Sequence, residues 1–595
     1  MKNGSLNILI GGPAGSGIEK SGQVLALSFV RAGYFVFSNM EHSSQIRGGN
    51  NFLRLRIDEN AHEVHTEETD AIIAFDKQTI DEHIHEVVEG GVIIFDGESV
   101  EIGNGVDSRF RGNDNNGVVK MIDVPLKKMA SEDFGNPLVA NMISLGVLFG
   151  LTEFEMSVIR GVLEKIWGKK GAEIITMNLK ALDAGKKIAD EKWTKGFVVK
   201  MPNRVDSRLR GNDTKSGNDS RMFLCGNDAL CIGAIKAGCK FVGEYPMTPS
   251  SSVLHFMAGW AEKYGIVVKH VEDEIAAVHS VIGAGFAGVR AIAATSGGGF
   301  ALMSEGIGLA GMNEVPIVVV DVMRPGPATG LPTRTGQGDL QFMIHAGQDD
   351  PIKIVLLASS PEECFEMGFE AFNLSEKYQL PVIIGYDKYL GEGYYTVPAF
   401  KKESLKIDRG KLLSASELEK ISDYKRYLRT DDGVSPRAIP GQKNGIHRAT
   451  SDEHTEYGEI CEDAENRKAM VDKRMKKMEM ALKELPGPEL IGDADADITF
   501  VTWNSSVGAC LEAAEILREK KKNINVLKIR TAWPFHKKET KEILKKVKRP
   551  ILVEQNYNGQ MGALIAEQTG IIIQEKILKY DGRPFTAKEI IENLK

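Results

Sequence analysis

Short apolar runs alternate with stretches of helical periodicity along most of the chain. Near the N terminus, the run LNILI is followed by the glycine turn GGPAGSG and by the helical pattern of IEKSGQVLALSFVRAGY. Other runs predict strands, and these are FLRLRI, AIIAF, GVIIF, KFVGEY, RAIAATS, VPIVVVDV, LPVIIGYD, ITFVTW, INVLKI and RPILVE. Because the later runs lie far enough apart for intervening helices, the pattern predicts a multidomain α/β fold with parallel sheets covered on both faces.

The periodicity breaks down between about residues 399 and 488, where the chain is polar and only the last third has helical spacing. A segment of this length predicts an extended arm packed over other domains. A chain of 595 residues is also too long for one core and predicts about three or four domains. The predicted divisions are a first domain over 1–200 with an inserted loop at 106–117, an inserted linker over 201–221, a second domain over 222–398, the arm over 399–488 and a last domain over 489–595.

A nine-residue sequence occurs twice, as VDSRFRGND at 106–114 and as VDSRLRGND at 205–213. Both copies fall at junctions between predicted elements, where insertions are tolerated because little backbone is buried. Their Gly, Asn, Ser and balanced charges suit a solvated loop. We interpret both copies as insertions that carry no chemistry.

Composition narrows the class of protein. An apolar fraction of 42% and a charged fraction of 26% are typical of soluble globular proteins. A net charge of −8 gives no reason to expect nucleic acid or an anionic membrane as a partner. The start of the chain lacks the pattern of a signal peptide, and no apolar run is long enough to span a bilayer, so we expect a cytoplasmic protein. The six cysteines include no C-x-x-C pair, so no iron–sulfur or zinc site is expected in this chain.

The stretch GEYPMTPSSS is a candidate anion site. A strand is predicted to end at Tyr245, and Thr248 followed by Pro249 resembles an N-cap with proline at the first helical position. Free backbone N–H groups, the helix dipole and the hydroxyls of Thr248, Ser250 and Ser251 would then lie at the C-terminal edge of a sheet, a place that suits a small carboxylate. An ordinary capped helix explains the same spacing.

Three further features are predicted to reach the same sheet edge. Glu274 begins a helix of small apolar residues, where burial would raise its proton affinity unless a partner satisfied it. The run Gly297–Gly299 follows a strand and permits close approach of a ligand to the backbone. Arg324 directly follows the strand VPIVVVDVM. A surface glutamate and a surface arginine are the alternatives, but their convergence with a glycine run favours a site.

Several long motifs occur together in one order. They are GPAGSGIEKSGQVLA, YPMTPSS, VEDEIAAVHSVIGAGFAG, TSGGGFALMSEG, MRPGPATGLPTRTGQGDL, YKRYLRTDDGVSPRAIPG, TWNSSVGACLEAA and EQNYNGQMGALI. This set resembles the α subunit of 2-oxoacid:ferredoxin oxidoreductases, in the fused γ–α form of the 2-oxoglutarate type. The resemblance covers nearly the whole chain apart from the two repeat copies. It implies a γ-type domain, then a pyrimidine-binding domain for thiamine diphosphate, the arm, and a transketolase C-terminal-like domain.

The resemblance also implies site residues. Glu274 matches the family's glutamate that bonds the pyrimidine N1′ of thiamine diphosphate, and Gly297 and Gly298 lie in the matching cofactor-binding glycine run. Thr248 and Arg324 match residues that hold the substrate carboxylate or line its path. Tyr245 and Ser250 belong to the same substrate-binding motif. Thiamine diphosphate would supply the attack on the 2-oxo carbon, and the protein would orient and tune it.

What the chain lacks implies a partner. It has no G-D-G…N motif for the magnesium-bound diphosphate and no cysteine set for a cluster. The resemblance assigns both, including a 4Fe-4S cluster, to a separate β subunit, which predicts a heterodimer or a dimer of heterodimers that is active only when assembled. It also implies decarboxylation of a 2-oxoacid, with 2-oxoglutarate favoured, to an acyl-CoA and transfer of electrons to ferredoxin. No nucleic-acid or membrane partner is expected.

Some positions depart from the family pattern. His42, Ser43 and Ser44 stand where Tyr-Pro-Ser is usual, and the histidine expected after the QGDL motif is displaced to His345, to which we assign no role. Arg47 with its two following glycines fits a phosphate of coenzyme A as well as it fits a surface turn. Two other functions stay open: a thiamine enzyme that does not use ferredoxin, which has no place for the γ-type domain, and a nucleotide-binding regulator built on GGPAGSG, which lacks the P-loop lysine.

Overall fold

A computed structural model of the chain describes residues 4–43, 49–98, 100, 119–192, 221–400 and 405–594. Both copies of the nine-residue repeat lie outside these ranges, as do Ser44, Arg47 and Gly48. The chain divides into two compact units. The first comprises Met1–Leu224 with Gly393–Ala399, and the second comprises Cys225–Glu392 with Phe400–Lys595.

The first unit is built on an eight-stranded sheet with the order β6-β5-β4-β1-β3-β2-β14-β7. Its strands are β1 (Leu6–Gly12), β2 (Phe35–Glu41), β3 (Asn51–Asp58), β4 (Thr69–Ala74), β5 (Val87–Phe95), β6 (Lys120–Asp123), β7 (Arg221–Cys225) and β14 (Tyr394–Pro398). Strand β1 is parallel to β4 and antiparallel to β3, so this sheet is mixed where the sequence predicted a parallel one. All seven residues of β1 are buried, which explains why they are apolar or glycine apart from Asn7.

The described part of the first unit contains six α-helices. They are α1 (Ile18–Arg31), α2 (Lys77–His83), α3 (Leu126–Glu132), α4 (Ala140–Leu151), α5 (Ile159–Trp167) and α6 (Ala172–Lys192). Helix α4 is apolar on all sides and packs against α6. Gly146 of α4 and Gly185 of α6 permit this close packing, because a Cβ on either would lie within 2.1 Å of a backbone oxygen of the other helix.

The second unit contains a seven-stranded sheet with the order β18-β12-β13-β11-β10-β8-β9. Its strands are β8 (Phe241–Glu244), β9 (Val267–His270), β10 (Ala291–Thr295), β11 (Ile317–Met323), β12 (Ile354–Leu357), β13 (Pro381–Asp387) and β18 (Thr531–Trp533). All of them run parallel except β18, which pairs antiparallel with β12. The C-terminal ends of β8, β10 and β11 therefore share one edge of the sheet.

Helices connect these parallel strands, as the spacing of the apolar runs predicted. They are α7 (Gly226–Lys236), α8 (Ser251–Tyr264), α9 (Glu274–Phe286), α10 (Gly297–Met312), α11 (Leu340–His345), α12 (Pro361–Tyr378) and α13 (Lys388–Glu392). Of these, α8, α9 and α10 begin at the edge of the sheet where the candidate residues were expected.

A five-stranded sheet completes the second unit, with the order β15-β17-β16-β19-β20. Its elements are β15 (Glu489–Ile491), β16 (Ile498–Thr502), α16 (Ser506–Glu519), β17 (Ile524–Lys528), α17 (Lys537–Lys546), β19 (Pro550–Glu554), α18 (Gln560–Thr569), β20 (Glu575–Leu578) and α19 (Ala587–Glu592). One continuous apolar cluster includes Ile317 of the seven-stranded sheet and Val501 and Leu552 of this one. The two sheets therefore share a hydrophobic core.

The polar segment before β15 has little regular structure apart from α14 (Ala415–Leu418) and α15 (Ala464–Leu482). It is held by a buried ionic cluster, in which Lys473 and Lys477 of α15 both bond to the carboxylate of Glu314. Arg426 donates to the backbone oxygen of Glu314 at 2.8 Å. In the described part of the chain, no helix has both the length and the apolar composition needed to cross a bilayer.

Candidate functional site

The turn after β8 brings the predicted anion-binding residues to the sheet edge, but not in the predicted conformation. Helix α8 begins at Ser251 with Ser250 as its N-cap, so the prediction of Thr248 as N-cap and Pro249 as first helical residue is wrong. The backbone N–H of Ser250 donates to Met247 O at 2.8 Å and closes a separate turn before the helix. The Ser250 hydroxyl donates to the same oxygen at 2.7 Å, so its proton is used within the turn.

Arg324 joins this turn to the end of β11. Its guanidinium donates a hydrogen bond to the backbone carbonyl of Thr248, across 76 residues of sequence. Arg324 is half-buried, and Glu274 and Asp339 lie close enough to interact with it electrostatically. Tyr245 lies at the rim of the same edge, 37% exposed, with its ring edge-on to His270. The structure thus brings Arg324 to the turn that carries Thr248, while the ring contact of Tyr245 is with His270.

Glu274 is the first residue of α9 and is only 2% exposed. Asp273 serves as the N-cap, accepting from the Ala276 N–H at 2.8 Å, so Glu274 is not needed to cap the helix. Its Oε1 is buried and has no hydrogen-bond partner among the described residues. Burial raises the pKa of Glu274, and the positive charge of Arg324 opposes that rise.

The glycine run is packed against the Glu274 carboxylate. A Cβ on Gly299 would lie 2.4 Å from Glu274 Oε1 and 2.1 Å from Thr295 Oγ1, so this position has no room for a side chain. A Cβ on Gly297 would lie 2.6 Å from Asp339 Oδ2. Gly298 is exposed and has open space around it. Among the three glycines, the close approach to Glu274 therefore belongs to Gly299, which sequence reasoning did not single out from the run.

These residues fit the aminopyrimidine of thiamine diphosphate. The Glu274 carboxyl has a raised pKa, its buried oxygen has no partner among the described residues, and bare backbone lies beside it, which is the chemistry that a ring nitrogen able to accept or share a proton would require. A surface glutamate would have neither the burial nor the orphaned oxygen. Gly299 allows the backbone of α10 to pack directly against the Glu274 carboxyl.

The loop before α11 is held by the C-terminal part of the second unit. The Gln337 amide donates to Asp387 Oδ2 and to Trp503 O at 3.1 and 3.2 Å, and its oxygen accepts from the Gln555 N–H at 2.9 Å. The Asn556 amide donates to Gln337 O at 3.0 Å. The motif TRTGQGDL is therefore bonded to EQNYNGQ, two residues before Asp339, the N-cap of α11.

Two acidic residues near Arg324 were missed by the sequence reading. Asp321 lies on β11 and is completely buried, and neither of its carboxyl oxygens has a hydrogen-bond partner among the described residues. Asp339 Oδ2 is also buried without one. The one signal in the sequence is the aspartate inside the apolar run VPIVVVDVM, which an ordinary buried strand would not contain. His345 lies exposed at the end of α11.

Three protein-family profiles match the chain. Residues 232–473 match "Pyruvate flavodoxin/ferredoxin oxidoreductase, thiamine diP-bdg". Residues 7–188 match "Pyruvate ferredoxin/flavodoxin oxidoreductase", and residues 496–590 match "Pyruvate:ferredoxin oxidoreductase core domain II". The part of the chain that contains Thr248, Glu274, Gly297 and Arg324 is therefore a thiamine diphosphate-binding domain.

Relatives match over the whole length. The chain is 33% identical to the 2-oxoacid:ferredoxin oxidoreductase subunit alpha of Sulfolobus sp, covering 99% of this chain and 96% of the relative. It is 32% identical to the 2-oxoglutarate synthase subunit KorA of Methanothermobacter thermautotrophicus over 62% of this chain and 96% of the relative. A solved structure of 2-oxoglutarate:ferredoxin oxidoreductase from Magnetococcus marinus, with 2-oxoglutarate, coenzyme A and succinyl-CoA bound, has a TM-score of 0.88 at 31% identity and covers 99% of both chains. The chain belongs to the family of 2-oxoacid:ferredoxin oxidoreductase α subunits.

Proposed function

We propose that this chain is the α subunit of a thiamine diphosphate-dependent 2-oxoacid:ferredoxin oxidoreductase. The complex decarboxylates a 2-oxoacid oxidatively, joins the acyl group to coenzyme A and passes electrons one at a time to ferredoxin. The observation that carries the proposal is the buried Glu274 carboxyl, whose orphaned oxygen lies beside the side-chain-free Gly299. We favour 2-oxoglutarate as the substrate, because the solved relative of matching length is named for it and was captured with it bound.

Each residue at the sheet edge has a proposed role. Glu274 holds the aminopyrimidine of thiamine diphosphate and controls the proton on its ring nitrogen, and Gly297 and Gly298 line that cradle with Gly299. When bound, the cofactor supplies the nucleophile and the electron sink for decarboxylation. Arg324 attracts the substrate carboxylate, since its positive charge acts on the Glu274 carboxyl and so lies on the same side of the sheet edge.

The turn after β8 supports Arg324 in this role. The bond from the guanidinium to Thr248 O holds the Arg324 side chain against the turn. Thr248 and Tyr245 then border the path of the substrate, and buried Ser250 keeps the turn closed through its two bonds to Met247 O. A charge held by a fixed backbone acceptor orients a carboxylate better than a freely rotating one.

A β subunit is proposed to complete the site. Apolar side chains next to the site are exposed, namely Tyr245, Ile275 beside Glu274, and Leu302 on α10, at 37%, 47% and 48%. Exposed apolar residues around a polar centre are typical of a protein interface. We assign the diphosphate, its Mg²⁺ and a 4Fe-4S cluster to that β subunit, and propose a heterodimer or a dimer of heterodimers in the cytoplasm.

We propose five functional divisions of the chain. A γ-type domain over 1–200 contains the insertion at 106–117, and the inserted linker over 201–221 leads to the pyrimidine-binding domain over 222–398. The arm over 399–488 packs on that domain through the Glu314 cluster, and a transketolase C-terminal-like domain covers 489–595. Strand β14, at the end of the third division, pairs with β2 of the first unit. The arrangement is supported by the three family profiles, which fall in the first, third and fifth divisions, the thiamine profile continuing into the arm.

The test is reduction of ferredoxin, or of a viologen dye, by 2-oxoglutarate with coenzyme A and thiamine diphosphate. It is run on this chain alone and on the chain co-expressed with a candidate β subunit, and repeated with pyruvate and 2-oxoisovalerate. Activity only in the pair, abolished by Glu274→Gln and retained by the exposed neighbour variant Glu272→Gln, supports the proposal. Activity from the single chain, or full activity in Glu274→Gln, contradicts it.

A further inference from the structure

The buried amide of Asn227 holds the same backbone turn to which Arg324 is bonded. Asn227 is the second residue of α7 and is completely buried. Its Nδ2 donates to the backbone oxygen of Pro249 at 3.0 Å and to Ser252 Oγ at 2.7 Å. Because Thr248 O accepts from Arg324, the carbonyls of two consecutive residues are held by side chains from two different elements.

Tyr386 fixes which way the Asn227 amide faces. Pro249 O can only accept, so the amide nitrogen of Asn227 must face it. The amide oxygen accepts instead from the hydroxyl of Tyr386, a completely buried residue of β13, at 2.7 Å. Helix α13 covers this bond, because a Cβ on Gly391 would lie 3.1 Å from Asn227 Oδ1 and 3.2 Å from Tyr386 Cε2. The bond is therefore shielded from water, where it is electrostatically stronger than in solvent.

Two side-chain links therefore join the turn to neighbouring strands. Tyr386 lies on β13, which pairs in parallel register with β11, and Arg324 directly follows β11. One link runs from β13 through Asn227 to Pro249, and the other runs from β11 through Arg324 to Thr248. The two carbonyls at which the links end are coupled, since the proline ring locks the φ angle between them. A shift of the Pro249 carbonyl therefore displaces the acceptor of Arg324.

We propose that Asn227 is a positioning residue of the substrate site. Through Pro249 it fixes the Thr248 carbonyl, and that carbonyl sets the direction in which Arg324 meets a carboxylate ligand. This rests on the proposed role of Arg324 as the substrate anchor. A guanidinium carries five N–H groups, so one bond to Thr248 O sets its direction while others remain to meet a carboxylate. Stability alone does not account for the buried amide, because apolar groups of the same shape would be close to neutral in its place.

The experiment measures binding of glutarate, a non-reacting dicarboxylate, to the complex assembled with a β subunit and thiamine diphosphate. Calorimetry gives the dissociation constant of the wild type and of each variant. Asn227→Ala is expected to weaken glutarate binding about tenfold, the size of one buried hydrogen-bond contact. Tyr386→Phe preserves the packing and removes only the hydroxyl, so about threefold weaker binding is expected. Ser252→Ala is the matched control, because it removes the other acceptor of the Asn227 amide and leaves Pro249 O in place; it is expected to bind as the wild type does.

A second set of measurements separates positioning from a general loss of structure. Arg324→Lys is expected to weaken glutarate binding, because lysine lacks the planar fork. If Asn227 acts through Arg324, Asn227→Ala has little further effect in the Arg324→Lys background. In turnover, Asn227→Ala should raise KM for 2-oxoglutarate about tenfold while kcat and the affinity for thiamine diphosphate change much less.

Wild-type glutarate binding in both Asn227→Ala and Tyr386→Phe overturns the proposal, as does an equal loss in Ser252→Ala. Additive effects in the double variant, or a parallel fall in cofactor affinity, also overturn it, because they indicate a general loss of structure. If Asn227→Ala does not assemble, Tyr386→Phe decides. If the wild type does not bind glutarate, or Arg324→Lys binds it equally tightly, the anchor is misassigned and the inference falls with it. The binding readout needs no turnover, so its failure is distinct from failure of the ferredoxin assay.

Discussion

Replacing Gly299 by alanine tests the central feature of the site, the close approach of a bare backbone to Glu274. The new Cβ would lie 2.1 Å from Thr295 Oγ1, 2.4 Å from Glu274 Oε1 and 2.7 Å from Glu274 Cδ. Contacts this short are not tolerated, so the Glu274 carboxyl must move. Overpacking of this kind costs about 1–3 kcal/mol, against a gain of at most about 1 kcal/mol from the better helix propensity of alanine.

Gly298→Ala is the matched control, one residue away in the same turn of α10. Its Cβ would meet no atom closer than Ala328 O at 3.8 Å. Both variants gain the same helix propensity, so they differ in the displacement of Glu274 and Thr295. We expect Gly299→Ala to weaken thiamine diphosphate binding to the assembled complex by about tenfold or more, which corresponds to about 1.4 kcal/mol, and Gly298→Ala to bind nearly as the wild type does.

The assay is quenching of intrinsic fluorescence on titration with thiamine diphosphate and Mg²⁺, with thermal unfolding of both variants as a check on folding. If Gly299→Ala folds and binds the cofactor as tightly as Gly298→Ala, the carboxylate beside Gly299 does not hold the cofactor. The assignment of Glu274 would then have to be withdrawn, whatever its pKa. A loss of binding in both variants would also refute the reasoning, because open space around Gly298 gives no cause for it.

Three further predictions concern stability and domain contacts. Glu314→Gln leaves Lys473 and Lys477 buried without a countercharge and should lower the free energy of unfolding in urea by about 3–5 kcal/mol; an unchanged midpoint would show that the cluster does not hold the arm. Gln337→Ala removes several buried hydrogen bonds and should lower the free energy of unfolding by about 2–4 kcal/mol, with faster proteolysis between the second unit's two sheets. A decrease below about 0.5 kcal/mol, the size typical of a surface substitution, would contradict this prediction. The pKa of Glu86 is lowered to about 2, with His83 and Arg54 opposing the effect of burial, so its contribution to stability is present above about pH 4.5 and is lost as pH falls toward 2. Arg54→Met should flatten that acid limb of a stability–pH curve.

Local signals predicted the elements of the second unit well. The apolar runs KFVGEY, RAIAATS, VPIVVVDV and LPVIIGYD became parallel strands, and the intervening segments became helices. The prediction from local sequence was wrong at Thr248, because this residue takes part in a tertiary contact and does not cap the helix. Its carbonyl accepts from Arg324, and Ser250 closes a turn on Met247, so the helix begins two residues later than the proline position indicated. A prediction of the N-cap uses only neighbouring residues, so it does not take account of Arg324, which lies 76 residues away in the sequence.

The part of the site that sequence reasoning missed depends on contacts between distant motifs. Gln337 bonds to Gln555 across 218 residues, and this contact places Asp339 against Gly297. Nothing near Asp339 in the sequence indicates that neighbour. Likewise, the three glycines of the run look equivalent in the sequence, but in the structure Asp339 crowds Gly297, Thr295 and Glu274 crowd Gly299, and Gly298 has open space.

Asp321 is an acidic residue whose burial in an apolar strand is energetically unfavourable. An ionised carboxylate without hydrogen bonds inside a parallel sheet is so unfavourable that protonation is the cheaper state. A valine at the same position would avoid that cost entirely, and it would fill the strand interior in the same manner as its neighbours in VVVDV. Packing of the strand therefore does not explain a carboxyl at this position, on the strand that leads directly to Arg324 at the edge of the sheet.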